Sequence, residues 1–272
     1  MIGAKVARNS IIKRSQFCEN DVEILSESSI PSFQRFFAKP YLRKSKMIEF
    51  DKNDMQSFTL LRFHIPFLMN FQGSALVIDP DIFQVKRGIE ELLDFDFNTH
   101  SLYARRGLQK NSWGSSAMLI SCDQLRHWSL DDLIDKLHHG KIDYDDLINL
   151  RLEEQSIGEL DKKWNEFDEI NQNTILLHTT EKITQPWRAG LNLNSSIPPL
   201  LKYIPRAPLY KLFGKDLTLG REHPHEGISN FFFNELAECI ASNIVSTEEL
   251  DDAVEKKYIR QDIHHKIRPF KI

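Results

Sequence analysis

The run Ala75-Leu76-Val77-Ile78 stops abruptly at Asp79-Pro80-Asp81. Entered through Gln72-Gly73 and ended by a residue that has no N–H and a fixed φ, it has the form of a buried strand whose carboxyl end must turn. Similar apolar runs occur at 115–122 (SSAMLISC) and 174–178 (TILLH), separated by stretches of helical character, and this alternation predicts an α/β fold. In such folds the loops at the carboxyl ends of strands receive ligands, so two acids at this position call for a chemical reason.

Spacing alone does not supply it, because Asp94-Phe95-Asp96 and Asp143-Tyr144-Asp145 repeat the pattern. Only Asp79 follows an uninterrupted apolar strand; the other pairs fall at a helix end and a helix start, where acids cap or complement the dipole. Two carboxylates at a buried strand end are either the caps of a turn or the hard oxygen ligands of Mg²⁺ or Mn²⁺. His178, ending TILLH, is either a hydrogen-bonded structural residue or a third ligand, and an imidazole added to two carboxylates favours Mn²⁺ over Ca²⁺. Lys182 and Arg188 follow it and can either meet phosphate charge or stay solvated.

A chain of 272 residues, 41% of them hydrophobic, is long enough for a substantial core. Its formal net charge of -4 gives no global positive field, so no nucleic-acid partner is expected. Cys18, Cys122 and Cys239 lie far apart without a CxxC pair and read as reduced thiols of a cytoplasmic protein. The most apolar stretch, 60–71, carries Arg62 and His64 and is too short to span a bilayer, so no transmembrane segment is expected. Lys5, Arg8, Lys13 and Arg14 precede any acid, but with Val6, Ile11 and Ile12 they suit an amphipathic first helix better than a transit peptide.

Further elements are legible. A short strand is expected at 22–25, a helix bent at Pro66 over 58–70, and a helix at 88–95. Ser129 opens a helix, and Ser246 with Glu249 forms an S-x-x-E box for another. The proline-rich stretch 191–220 reads as a loop, and Phe231, Phe232, Phe233 and Leu236 read as core contacts.

Taken in order, these segments resemble family 8 of the retaining nucleotide-sugar glycosyltransferases. Arg62-Phe63-His64-Ile65-Pro66 is similar to the family's "RF.iP" helix, and 73–81 (GSALVIDPD) to its "G.aiylD.D" strand. The stretch 115–122 followed by Trp128 resembles "nSgvmLin...l..W". Glu154-Gln155 with Leu160 and Trp164-Asn165 resembles "DQ...l...WN", and Leu177-His178 through Gln185-Pro186-Trp187 resembles "iiHyt...KPW". From His223-Pro224 to Phe233 and again at Arg260-Gln261-Asp262 the chain is similar to a bacterial branch of such proteins.

The resemblance implies a GT-A fold, Rossmann-like, with a mixed and mostly parallel sheet, lacking the family's first strand. It implies one glycosyltransferase domain over 1–272, with 191–272 as a loop and C-terminal helical extension. By the same resemblance Asp79, Asp81 and His178 are metal ligands for Mn²⁺ or Mg²⁺. Arg62, Ser115, Ser116 and Lys182 contact the donor, a nucleotide-diphosphate sugar and most often a uridine one. Glu154 or Gln155 lies under the anomeric carbon. The acceptor, whether sugar, lipid or protein, is left open.

Three features depart from the pattern. No strand and "G.D" turn precede the helix at 3–12, Glu154 stands where the family commonly has Asp, and no glycine follows His178 closely. The first departure keeps a second function in view, a nucleotide-sugar-binding or assembly protein of the same fold without turnover. Aspartate-nucleophile phosphohydrolases also end a strand in D-x-D, but they want a small hydroxyl residue next, and Ile82-Phe83 stand there.

Overall fold

A computed structural model describes residues 2–50, 57–107, 112–193 and 219–270. Its helices and strands run in the order α1 (Ile2–Arg14), β1 (Tyr41–Arg43), β2 (Lys46–Ile48), α2 (Ile65–Leu68), β3 (Ser74–Ile78), β4 (Ile82–Gln84), β5 (Leu102–Arg106) and β6 (Trp113–Ser121). Then follow α3 (Leu130–His138), α4 (Tyr144–Ile148), β7 (Ile157–Glu159), β8 (Glu166–Phe167), β9 (Leu176–His178), α5 (Glu226–Ala241), α6 (Thr247–Glu255) and α7 (Ile263–Ile267). The chain divides into two compact units, each discontinuous in sequence. A terminal unit comprises Met1–Val22, Pro80–Arg87 and Glu166–Ile272, and a central unit comprises Glu23–Asp79 and Gly88–Asn165. The chain passes from one to the other at Asp79-Pro80, inside the motif singled out above.

The central unit is built on a four-stranded sheet in the order β3-β6-β5-β7. β6 lies inside it, and its residues from Ala117 to Ser121 are buried on both faces, which explains the unbroken apolar run. Ser129 caps α3 by accepting from the Asp132 N–H at 3.4 Å. Leu130, Leu133, Ile134 and Leu137 then form one buried stripe with the spacing of a helix face. An aromatic group of Phe33, Phe36, Tyr41 and Tyr144 fills the core below, with Phe36 and Tyr41 centroids 4.7 Å apart. Burial holds the Tyr144 hydroxyl far above its ordinary pKa, so it stays neutral.

The terminal unit holds a three-stranded sheet, β4-β9-β8. α1 packs Ile2, Val6 and Ala7 against Phe232, Phe233 and Leu236 of α5 in one buried cluster, as expected for the phenylalanines. Glu235 on α5 is fully buried and is paired with Arg14, with Lys13 at 3.5 Å. Ser246 accepts from the Glu249 N–H at 3.1 Å and opens α6 as the sequence predicts.

The sheets are mixed, within the expected α/β class, but antiparallel pairings outnumber parallel ones among the described residues. β1–β2, β3–β6, β5–β6 and β4–β9 are antiparallel, while β5–β7 and β8–β9 are parallel. The Gly107 N–H donates to the Ser112 carbonyl at 2.8 Å, and the sequence between β5 and β6 is too short for the crossover that a parallel pair needs. The strand expected at 22–25 does not form: the Val22 carbonyl accepts from Arg8 Nε at 2.8 Å, a side-chain bond in place of a ladder. The bent helix over 58–70 is a 3₁₀ stretch, Ser57–His64, continued by α2 with Pro66 in its first turn. The helix at 88–95 is likewise a 3₁₀ turn, Ile89–Asp94. Most of the loop expected at 191–220 lies outside the described residues.

Cys122 and Cys239 are buried, and burial raises their thiols to about 11 and about 12, which makes them unreactive core residues. No helix among the described residues is long and apolar enough to cross a membrane.

In the terminal unit Arg260, nearly fully buried, forks onto Glu222 (2.9 and 2.6 Å) and onto Asp262 (2.5 and 2.8 Å). Hydrogen bonds from Arg260, aided by Lys266 and opposed by partial burial, lower the Glu222 carboxyl from 4.5 to about 2. A carboxyl depressed on folding stabilises fully above its unfolded pKa and ceases to as pH falls through the folded one. The stability difference between wild type and Glu222→Gln is therefore present at pH 6 and shrinks from pH 4.5 toward pH 2. Solvent exposure of the carboxylate keeps it modest. Urea midpoints across that range measure it, and a difference independent of pH would refute the assignment.

Candidate metal centre

In the central unit the 3₁₀ stretch before α2 delivers Arg62 beneath the end of β3. Its guanidinium donates to Asp79 Oδ1 from Nη2 and to Ser115 Oγ from Nη1 at 2.6 Å, and Ser115 passes a 2.7 Å bond to the Ile148 carbonyl. The Asp79 N–H extends the β3–β6 ladder to the Ser116 carbonyl at 2.8 Å. Side-chain exposure is only 7% for Arg62 and 14% for Asp79, so this is a buried ion pair with hydrogen bonds on both arms. Ser116 projects to the opposite face of β6, where its Oγ accepts from Asn165 Nδ2 at 3.1 Å.

In the terminal unit β4 and β9 pair antiparallel with Ile82 opposite His178, which brings Asp81 beside the end of β9. The Asp81 carbonyl accepts from Thr179 N–H at 3.1 Å and Thr179 Oγ1 at 3.2 Å. Asp81 Oδ1 lies 3.5 Å from His178 Nε2, and Oδ2 accepts from Gln185 Nε2 at 2.8 Å. Asp168, at φ +51°, donates its N–H to the His178 carbonyl at 2.9 Å and receives the Thr180 N–H and hydroxyl on Oδ2. None of Thr179 to Lys182 has a positive φ, so the loop after His178 does not require the glycine that the resemblance led one to expect.

Pro80 alone separates Asp79 from Asp81, and one ligand atom each from Asp79, Asp81 and His178 lie within 4.8 Å of one another. Two hard carboxylate oxygens and one imidazole nitrogen at such separations fit a divalent cation that keeps coordination positions for other oxygens. The turn Pro186–Arg188 follows Gln185. Burial lowers the pKa of its Arg188, and the charge of Asp81 works in the opposite direction, placing a guanidinium in the field of the centre.

The structure thus brings Asp79, Asp81 and His178 near one another, with Arg62 bonded to Asp79 and Ser115. Glu154, Gln155 and Lys182 stand outside that group with exposed side chains, the first two on the 3₁₀ turn Arg151–Ser156. Their neighbour Glu153 is the buried one, accepting from Trp128 Nε1 at 2.8 Å and from His127 Nε2 at 2.9 Å. Gln185 and Asp168 were not anticipated. An amide beside a Pro-Trp pair and an acid just after a two-residue strand carry no local signature, and only the fold shows their partners.

No protein-family model matches the chain, and no curated protein does. Solved structures similar to it include the galactosyltransferase LgtC in complex with donor and acceptor sugar analogs. That likeness has 13% identity and a TM-score of 0.44, and covers 68% of this chain and 85% of that one. The glycosyltransferase GlyE of Streptococcus pneumoniae TIGR4 is 15% identical over 68% of this chain and 53% of its own, with a TM-score of 0.45. Mouse xyloside xylosyltransferase 1 in its apo form is 14% identical over 65% of this chain and 91% of its own, with a TM-score of 0.42. Likeness at this level does not establish a family or an activity for the chain.

Proposed function

We propose that the chain is a metal-dependent glycosyltransferase of the GT-A type, transferring a sugar with retention of configuration from a nucleotide-diphosphate donor, a uridine one by preference. The observation that carries this reading is the convergence of Asp79, Asp81 and His178 at the ends of β3 and β9. The ordered motifs of the sequence support it. Bound there, Mn²⁺ or Mg²⁺ would supply Lewis-acid neutralisation of the diphosphate as it leaves.

The protein's own groups have distinct tasks in this reading. Asp79, Asp81 and His178 hold the cation. Arg62 spends its fork on Asp79 and Ser115, so it orients a ligand more than it touches the donor. Arg188, in the field of the Asp81 charge, and the exposed Lys182 offer positive charge to the diphosphate. Glu154 and Gln155, with side chains open to solvent, meet the sugar and stabilise positive character at its anomeric carbon. In this reading residues 1–272 are one transferase domain, with 191–272 as its loop and C-terminal helical extension.

The test is release of nucleoside diphosphate from a panel of nucleotide sugars. Release is expected to require Mn²⁺ or Mg²⁺ and to stop on chelation, and NMR of the product is expected to show an unchanged anomeric configuration. Absence of both turnover and binding across the panel would overturn the reading, whereas metal-dependent binding without turnover would identify a binding protein.

A further inference from the structure

We propose that Gln185 is the positioning residue of the metal centre. Its amide fixes Asp81 so that Oδ2 is engaged by the protein and Oδ1 is presented to the cation. The inference rests on the metal reading above and assigns this residue a function within it.

Gln185 is 1% exposed, and its Nε2 donates to Asp81 Oδ2 at 2.8 Å and to the Thr179 carbonyl at 2.9 Å. A carboxylate and a carbonyl can only accept, so only the NH₂ end of the amide can face both of them, and the orientation of the side chain is decided by chemistry. The remaining oxygen, Oδ1, faces His178 Nε2 at 3.5 Å, too far for a good hydrogen bond and suited to two ligand atoms around one ion. The amide is also neutral. It orients Asp81 through a charge-assisted bond without offsetting the negative charge that a cation needs.

Two further observations set Gln185 apart from an ordinary core residue. Its Oε1 is buried with no hydrogen-bond partner among the described residues, a desolvation cost that an apolar side chain would avoid. The turn that follows is also clamped. The Gly190 N–H donates to the Gly220 carbonyl at 2.9 Å, the Gly220 N–H donates to the Leu191 carbonyl at 2.8 Å, and a Cβ on Gly220 would lie 1.9 Å from the Arg188 carbonyl oxygen. A polar side chain held this firmly against one ligand oxygen is how proteins orient metal ligands from behind.

The experiment titrates the full chain with Mn²⁺ alone, following free ion by electron paramagnetic resonance, for wild type, Gln185→Met and Gln185→Asn. Methionine keeps the volume and removes both donors, while asparagine keeps an amide one methylene too short to bridge Asp81 and Thr179. Circular dichroism and the unfolding midpoint without metal establish that each variant is folded. Mn²⁺ affinity is expected to fall by about 10–100-fold in Gln185→Met and in the same direction in Gln185→Asn. If the methionine variant does not fold, the asparagine variant decides. A folded variant that binds Mn²⁺ as tightly as wild type overturns the role of Gln185 and leaves the metal centre standing. A wild-type chain that does not bind Mn²⁺ overturns the centre, and the role of Gln185 with it.

Discussion

Asp81→Asn is expected to lower metal-dependent nucleoside diphosphate release by on the order of 10²–10³-fold, the loss seen when one preorganised electrostatic contact to a transition state is removed. Asparagine preserves the size of the side chain and the bond available to Gln185 Nε2, and it removes the charge that would face a cation beside His178. Asp81 is only partly buried, so the unfolding midpoint should change little. Activity and stability therefore separate, which loss of fold would not produce. Asp94→Asn is the control: this exposed acid belongs to another D-x-D pair and ends a 3₁₀ turn, and its replacement should leave release unchanged. Release by Asp81→Asn within about threefold of wild type would remove Asp81 from the metal centre.

The second large effect is on stability. Arg62→Met leaves the Asp79 carboxylate 14% exposed and without the guanidinium that binds it, and strips Ser115 Oγ of its donor. Breaking a buried pair from one side costs about 3–5 kcal/mol, because the abandoned charge keeps its desolvation penalty. Chemical denaturation should show that loss, and Arg62→Met combined with Asp79→Asn should recover part of it, since the second change removes the stranded charge. If Arg62→Met alone costs less than about 1 kcal/mol, the pair behaves as a solvated one. Arg62→Lys should fall between, because one ammonium cannot reproduce the two-armed fork to Asp79 and Ser115.

Local features of the chain were legible because their causes are local. A serine three residues before an acid capped α6, and the spacing of Leu130, Leu133, Ile134 and Leu137 set the buried face of α3. The apolar run before Asp79 became β3, and TILLH ended in β9 with its histidine last. Where two readings were locally equal, the sequence offered no means of choosing. Glu153 and Glu154 are the same residue type side by side, yet Trp128 and His127, reached only through the fold, select Glu153 for burial. The balance of parallel and antiparallel pairings among the described residues is not legible in the sequence for a similar reason. The apolar run of β6 reports burial on both faces, whereas strand direction is set by how much chain lies between two strands.

The sequence by itself determined that two carboxylates would end an apolar strand around a proline, because hydrophobic runs and chain breakers act within a few residues. Only the tertiary structure decided what those carboxylates face. Asp79 met Arg62 from seventeen residues earlier, and Asp81 met His178 and Gln185 from about a hundred residues later. Such partners are chosen by strand pairing and burial acting at long range, and a pattern read along the chain does not register them.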